Sequence, residues 1–503
     1  MRHARAIAVA VAVSAAAASF VVRAADPLSS VDAELQFQLG TILSGDSRYF
    51  EAMTAFDRAA TSPDRSLAVR ARKWKVRTGL IVAEWAMARG ETERLAREFP
   101  DDPEVATLRA DALWGSGQFD EADALYREAL KRTPGSSRAR LGVARSLATR
   151  NQLDAALTEA LAASAAAPRD GEIHFQVGDI YERMNRYDEA ANAYTNFVNL
   201  LPNKDRSERA AWSRTEVVFL KAFAGKTPIQ VQGDPAQVHT LPFKLVNEKV
   251  VVRARINGER ARDLVLDTGA EETVISEDTA RHLGVRPITY TLSAGVGDVG
   301  LRGLQLGRLD TIEIGTLTVK NVPVLIKSPG LGARIPKKET DSFSPLALGL
   351  SVSIDYRNSV MLIAREIPKG PSDFALPMRL QRLALVRGLL NKSHPAYFVV
   401  DTGGQVISIS TAVAEGLDMK PARRIPLKVF GMSGWDKEAF LLPGVDLSFD
   451  TLSYTNMPLV VLNLRTPSAL LGFEIGGIVG HKFLAPYRVT MDLPRSELRL
   501  AKN

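Results

Sequence analysis

The sequence predicts a multidomain α + β protein: an all-α solenoid of helical hairpins, then an all-β region of two related lobes. Three observations predict it. Small and aromatic residues recur every 34 positions through the first part of the chain. After Lys226 the composition turns from Ala, Glu and Arg to Val, Ile, Thr, Gly and Pro. A segment that begins at Arg253 returns at Arg387, 134 residues on. A length of 503 residues agrees with about three to four units, at roughly 100–200 residues each. Hydrophobic residues make up 46% and charged residues 24% of the chain, so each unit has the material for an ordinary core.

Residues 1–24 read as a secretory signal peptide. Arg2 and Arg5 precede an apolar or small-residue run over 6–22, and Val22 and Ala24 stand where a signal peptidase reads small residues. The expectation is an exported protein, periplasmic or secreted, with no integral membrane segment in the mature chain. Loss of the three arginines in 1–24 would take the net charge from +7 to +4. There is no cysteine, which excludes disulfides, cysteine-based metal sites and thiol nucleophiles. No long basic run is present, so a nucleic-acid partner is not indicated.

Residues 31–225 carry the 34-residue period. Pro134, Pro168 and Pro202 keep it, as do Ala122, Ala156 and Ala190, and Tyr126, Ala160 and Tyr194. Gly and Ala let two helices of a hairpin approach, aromatics fill the space beside them, and Pro ends the second helix. One hairpin cannot bury its own apolar face, so copies must stack. In the best copy, 171–204, Val177, Gly178, Tyr181, Ala190, Tyr194 and Pro202 resemble the tetratricopeptide repeat. Three clear copies and two weaker ones are expected, with a capping helix after them. The resemblance implies a protein or peptide partner at the array; the plainer reading is a spacer that docks the downstream domain.

The stretch 226–240 is expected to be a linker, followed by lobes at 241–366 and 367–503. Short Val- and Ile-rich runs separated by turn residues read as strands. The two lobes align residue by residue: Arg253 with Arg387, Asn257 with Asn391, Asp310 with Asp446, Asn321 with Asn456, Asp355 with Asp492. Asp267-Thr268-Gly269 aligns with Asp401-Thr402-Gly403. One Asp-Thr-Gly arises by chance in roughly one chain in ten of this length; two in register, each after an apolar strand, do not.

These residues resemble the aspartic peptidases over about 236–503, and DTGAEETVI, starting at Asp267, is especially similar to the catalytic loop of retroviral-type proteases. Two lobes in one chain is similar to the pepsin-type layout, with each lobe nearer the retropepsin pattern. The resemblance implies a dyad of Asp267 and Asp401 sharing one proton and activating a water. It implies that Thr268 and Thr402 brace the loops, while Gly269 and Gly403 leave room for substrate. No metal or organic cofactor is implied. A flap is expected after each loop, one around Gly295 and Gly297 and the other around Trp435, which either covers the substrate or is an ordinary half-buried tryptophan. Gly295, Gly297 and Gly300 also spell GxGxxG, but no helical apolar period follows, which rules out a dinucleotide loop. The six histidines show no metal-ligand spacing.

The family places two hydrophobic residues and a glycine beneath each catalytic loop. Ile478-Val479-Gly480 supplies them in the second lobe. The first lobe has no such triplet, and Leu348-Gly349 falls too close to Asp355, so the support beneath Asp267 is expected to differ. The reading is an exported aspartic endopeptidase acting on an extended peptide, with repeats that recruit a partner or substrate. The alternative is a non-catalytic scaffold whose lobes clamp a peptide without cutting it.

Overall fold

The structure, a computed structural model, describes residues 29–503 except 202–206, 298–301, 328–340, 418, 420–423 and 432. The expected export signal at 1–24 lies outside the described residues. Five helical hairpins come first: Ser30–Gly45 with Tyr49–Ala59, Arg65–Ile81 with Trp85–Glu98, Pro103–Gly115 with Phe119–Arg132, Ser137–Thr149 with Leu153–Ala166, and Gly171–Arg183 with Tyr187–Leu200. Helix Glu208–Lys221 follows as the cap. Asp64, Asp102, Ser136, Asp170 and Ser207 start helices by accepting first-turn N–H groups. The periodic glycines make the close approaches. A Cβ on Gly40 would stand 2.5 Å from the Phe56 ring, and one on Gly178 would stand 2.7 Å from the Tyr194 ring. Among the described residues no helix is long and apolar enough to cross a membrane.

The strand-rich half forms two lobes joined by a shared sheet. Strands His239–Pro242, Val360–Ala364 and Ser351–Asp355 pair on to Tyr487–Asp492, Glu497–Lys502 and Phe374–Gln381. The seam pairs Ser351–Asp355 with Tyr487–Asp492, and Ser353 Oγ lies 2.7 Å from Thr490 Oγ1 across it. One apolar core runs through both lobes, from Leu241 to Leu500. The stretch expected as linker is laid on the first lobe: Gln230–Val231 pairs with Val319 and Lys320, and the first strand of the shared sheet begins at His239.

Asn257 and Asn391, and likewise Asp355 and Asp492, repeated outside the Asp-Thr-Gly loops, are turn formers. Asn257 and Asn391 both hold positive φ, 50° and 45°. Their Oδ1 atoms accept from Asp310 N–H (2.9 Å) and Asp446 N–H (3.0 Å), respectively. Asp355 and Asp492 each accept the N–H three residues on. The internal repeat thus preserves turn chemistry as well as the Asp-Thr-Gly loops.

The helical array packs on to both lobes. Phe119 meets Tyr397 and Phe473 with ring centroids 4.8 and 5.1 Å apart, within a core that also holds Trp114, Leu385 and Val460. Arg379 of the second lobe, only 3% exposed, donates to Thr149 Oγ1 at 2.9 Å and also pairs with Asp120. Tyr397 donates to the same Asp120 at 2.7 Å. Glu474 N–H donates to the Gly115 carbonyl at 2.8 Å. On the other side Tyr187, Phe219 and Phe223 share a core with Ala270, Val274, Leu304 and Leu306 of the first lobe. The edge of the array is therefore built into the molecule as a third layer against the lobes.

Candidate active site

Strands Arg262–Leu266 and His394–Val400 end side by side, each delivering an Asp-Thr-Gly turn. The turns brace each other. Thr268 Oγ1 donates to the Val400 carbonyl at 2.7 Å, and Thr402 Oγ1 donates to the Leu266 carbonyl at 2.8 Å. Each hydroxyl in return accepts the other threonine's N–H, both at 3.1 Å. All four bonds are buried, and they use backbone groups that would otherwise be unpaired where the strands end.

The carboxyls lie next to each other inside this frame. Gly269 N–H donates to Asp267 Oδ1 at 3.0 Å, and Gly403 N–H donates to Asp401 Oδ1 at 2.7 Å. The two carboxyls are close enough to act directly on each other. The glycines are required by space: a Cβ on Gly269 would lie 2.4 Å from Asp401 Cγ, and one on Gly403 would lie 2.9 Å from Asp267 Cγ. The structure thus brings together Asp267, Asp401, Thr268, Thr402, Gly269 and Gly403.

The support beneath Asp267 comes from a segment that the sequence pattern did not single out. Ser342–Phe343 is a two-residue strand parallel to Arg262–Leu266, with Phe343 opposite Leu266. In the second lobe Gly477–Val479 runs parallel to His394–Val400, with Val479 opposite Val400. Asp267 N–H donates to the Phe343 carbonyl and Asp401 N–H to the Val479 carbonyl, both at 3.0 Å. Ser342-Phe343-Ser344 therefore stands where Ile478-Val479-Gly480 stands, and Leu348-Gly349 plays no part there. A Cβ on Gly480 would meet the Gly404 carbonyl oxygen at 2.7 Å. Ser344 fits because its Oγ donates to the Ala270 carbonyl at 2.9 Å.

Both expected flaps face the cleft. The first includes strand Pro287–Ser293 and the turn residues Gly295 and Gly297; its residues 298–301 lie outside the described residues. The second is the ribbon of Val429–Gly431 and Gly434–Asp436. Their tips touch. Gly295 N–H donates to Ser433 Oγ at 3.0 Å, and Ser433 N–H donates to the Val296 carbonyl at 2.9 Å. Gly297 has φ 137°, and a Cβ there would lie 2.3 Å from the Ser433 carbonyl carbon. Trp435 is 39% exposed, packs edge-on against Phe430 at 5.2 Å and lines the cleft. The cavity measures about 1140 Å³ and contains both aspartates. Among the described residues no group of three or more His, Asp or Glu is arranged to hold a metal ion.

Residues 252–352 and 386–476 match the aspartyl protease family, one copy on each lobe. The strand-rich half carries two aspartyl-protease-like domains. Residues 107–172 and 144–196 match the tetratricopeptide repeat. Among solved structures, the chain is similar to an aspartic proteinase from Irpex lacteus, at 13% identity and a TM-score of 0.34, over 53% of this chain and 98% of that one. It is also similar to a thermophilic tetratricopeptide-repeat protein from Thermus thermophilus, at 22% identity and a TM-score of 0.31, over 36% of this chain and 98% of that one. No curated protein matches the chain.

The electrostatics of the aspartyl-protease-like pair follow from its burial. Loss of solvent, followed by the neighbouring Asp401 carboxyl, pushes Asp267 up to about 7. Burial also raises Asp401, against the pull of the Gly403 and Gly404 N–H groups. Two such carboxyls hold one proton between them over a wide pH range. The cleft has a further wall that repeat matching did not reveal: Glu182, Tyr187, Trp212, Glu216 and Phe219 of the helical array line it together with the dyad. In the sequence these residues are indistinguishable from the packing and surface residues of any repeat.

Proposed function

We propose that the protein is an exported aspartic endopeptidase that hydrolyses an extended peptide bound between the dyad and the two flaps, and that the array helps to present the substrate or a partner. The observation that carries this reading is the pair of adjacent buried carboxyls, Asp267 and Asp401, held by reciprocal threonine bonds in a cleft large enough for a peptide. In the singly protonated pair, the ionised carboxylate draws a proton from a water while the protonated partner donates to the scissile carbonyl oxygen. Water oxygen attacks the carbonyl carbon, and the tetrahedral intermediate collapses as the leaving nitrogen takes a proton from one carboxyl and a hydroxyl of the intermediate returns its proton to the other. Gly269 and Gly403 N–H groups fix the carboxyl planes, so little reorganisation is needed as charge shifts. An extended peptide would pair with flap backbone groups beside the tips, whose own N–H and C=O bonds join the flaps to each other. Export rests on the residue pattern of 1–24.

The test is cleavage of an unbiased peptide library by the wild type and by Asp267→Asn, from acidic to neutral pH. Cleavage by the wild type alone supports the reading. No cleavage by either folded protein favours a clamp that holds peptides without cutting them.

A further inference from the structure

The strand-rich lobes alone do not close the cleft. Helices Gly171–Arg183 and Glu208–Lys221 bring Glu182 and Glu216 to its wall, facing Glu271 and Glu272 of the first catalytic loop. Arg382 sits at the same junction in a tight turn of the second lobe, with φ 59°. Its guanidinium donates to Glu271 at 3.2 Å and lies 5.3 Å from the centre of the Trp212 ring. Glu182 accepts from the Tyr194 hydroxyl at 2.8 Å. Glu216 is 6% exposed, and no described residue hydrogen-bonds its carboxylate. Glu272 Oε2 is buried without a partner among the described residues. Arg183, also at the wall, interacts with Asp179 of its own helix, and its Nη atoms have no hydrogen-bond partner among the described residues.

The balance is acidic. Asp179, Glu182, Glu216, Glu271 and Glu272 face Arg183 and Arg382, and the hydrogen bond of Arg382 goes to Glu271. Glu182, Glu216 and Glu272 share Arg382 as their cation; it pulls against the rise, yet burial first, with the neighbouring carboxylates, still pushes each of them up. Lys249 acts on the dyad instead. Buried carboxylates that outnumber their counter-ions are unfavourable, and a further cation brought among them relieves both the desolvation and the mutual repulsion. The wall is also one-sided. At the positions equivalent to Glu271 and Glu272, 134 residues on, the second lobe has Gln405 and Val406.

We propose that the last repeat and the helix after it form an acidic wall of the substrate cleft that receives a lysine or arginine side chain of the peptide. Its aliphatic stem would lie along Trp212, Phe219 and Tyr187, with its charged end at Glu216 and Glu272. The proposal rests on the peptidase reading for the placement of the peptide. It makes the helical array a part of the substrate site and confines the basic residue to one side of the scissile bond.

The experiment selects a randomised peptide library for binding to the Asp401→Asn protein, then repeats the selection with Glu182→Gln and Glu216→Gln added. The expected result is enrichment of Lys or Arg at one fixed position, falling about tenfold or more in the glutamine variant, the scale of a charge-assisted hydrogen bond. Circular dichroism confirms that both proteins are folded, and the single Glu216→Gln variant gives the same reading if the pair of changes unfolds the chain. Selection without basic enrichment, no selection at all, or enrichment that survives the glutamines would overturn the wall. Selected basic peptides that the wild type fails to cut would contradict the peptidase reading and leave the wall standing.

Discussion

Thr268 and Thr402 hold each other from opposite lobes, each hydroxyl donating to the strand end that precedes the other's aspartate, at 2.7 and 2.8 Å. The bonds join residues 134 positions apart and tie the register of the two loops together. Thr268→Val or Thr402→Val removes a hydroxyl and leaves a carbonyl and an N–H unpaired in a buried place. Each should cost about 1–3 kcal/mol of stability and lower kcat. The double variant should cost less than the sum: the two changes break different bonds, but bonds of one frame that the first loss already loosens. Denaturant titration of the four proteins checks this.

Gly297→Ala tests the contact between flaps. At φ 137° with Ser433 carbonyl carbon 2.3 Å from the new methyl, the tip cannot keep its place. The expected result is a fall in kcat/KM of roughly tenfold or more, with global stability changed by no more than about 1 kcal/mol. A wild-type kcat/KM would show that the tips need not meet for turnover.

The pH profile follows from the pair. The proposed mechanism needs one proton shared between the two carboxyls, and Asp267 is held up to about 7. Activity should therefore persist to near neutral pH and fall as the last proton leaves above about 7, with a slope of one proton in log kcat/KM. A rise in activity through pH 8 would contradict the arrangement.

Stability should show a related dependence. Glu182, at about 7, and Glu272, at about 8, stand above the ordinary carboxylate range because they are buried. The protonated forms favour the fold. Their contribution is full below the unfolded value near 4.5 and is lost as pH rises through 7 and 8. The protein should lose on the order of 5 kcal/mol between pH 5 and 8, and Glu272→Gln should flatten that loss. Thermal melting across the pH range reads it directly.

The parts of the molecule set by short-range patterns were legible in the residues. The 34-residue period marks close packing, as between Gly178 and Tyr194, and two Asp-Thr-Gly loops in register mark both halves of the candidate site. The support beneath Asp267 was not legible, because what matters there is a carbonyl at the right height. Phe343 provides it from a two-residue strand with no apolar pair or glycine to announce it. The docking of the array was hidden for another reason. Phe119 satisfies the repeat's own packing rule, and its contacts with Tyr397 and Phe473 come from residues more than 270 positions away. Glu216 and Glu182 likewise carry no sequence mark, since a glutamate on a helix is ordinarily a solvated charge.

Whether Asp267 and Asp401 act as one catalytic pair is decided by removing the charge of one of them. The most direct test is the rate of peptide cleavage by Asp401→Asn at the pH where the wild type is most active, with folding checked by circular dichroism. An unchanged fold and a rate lower by on the order of 10⁴-fold are expected. A folded Asp401→Asn protein that cuts at the wild-type rate would contradict the pairing.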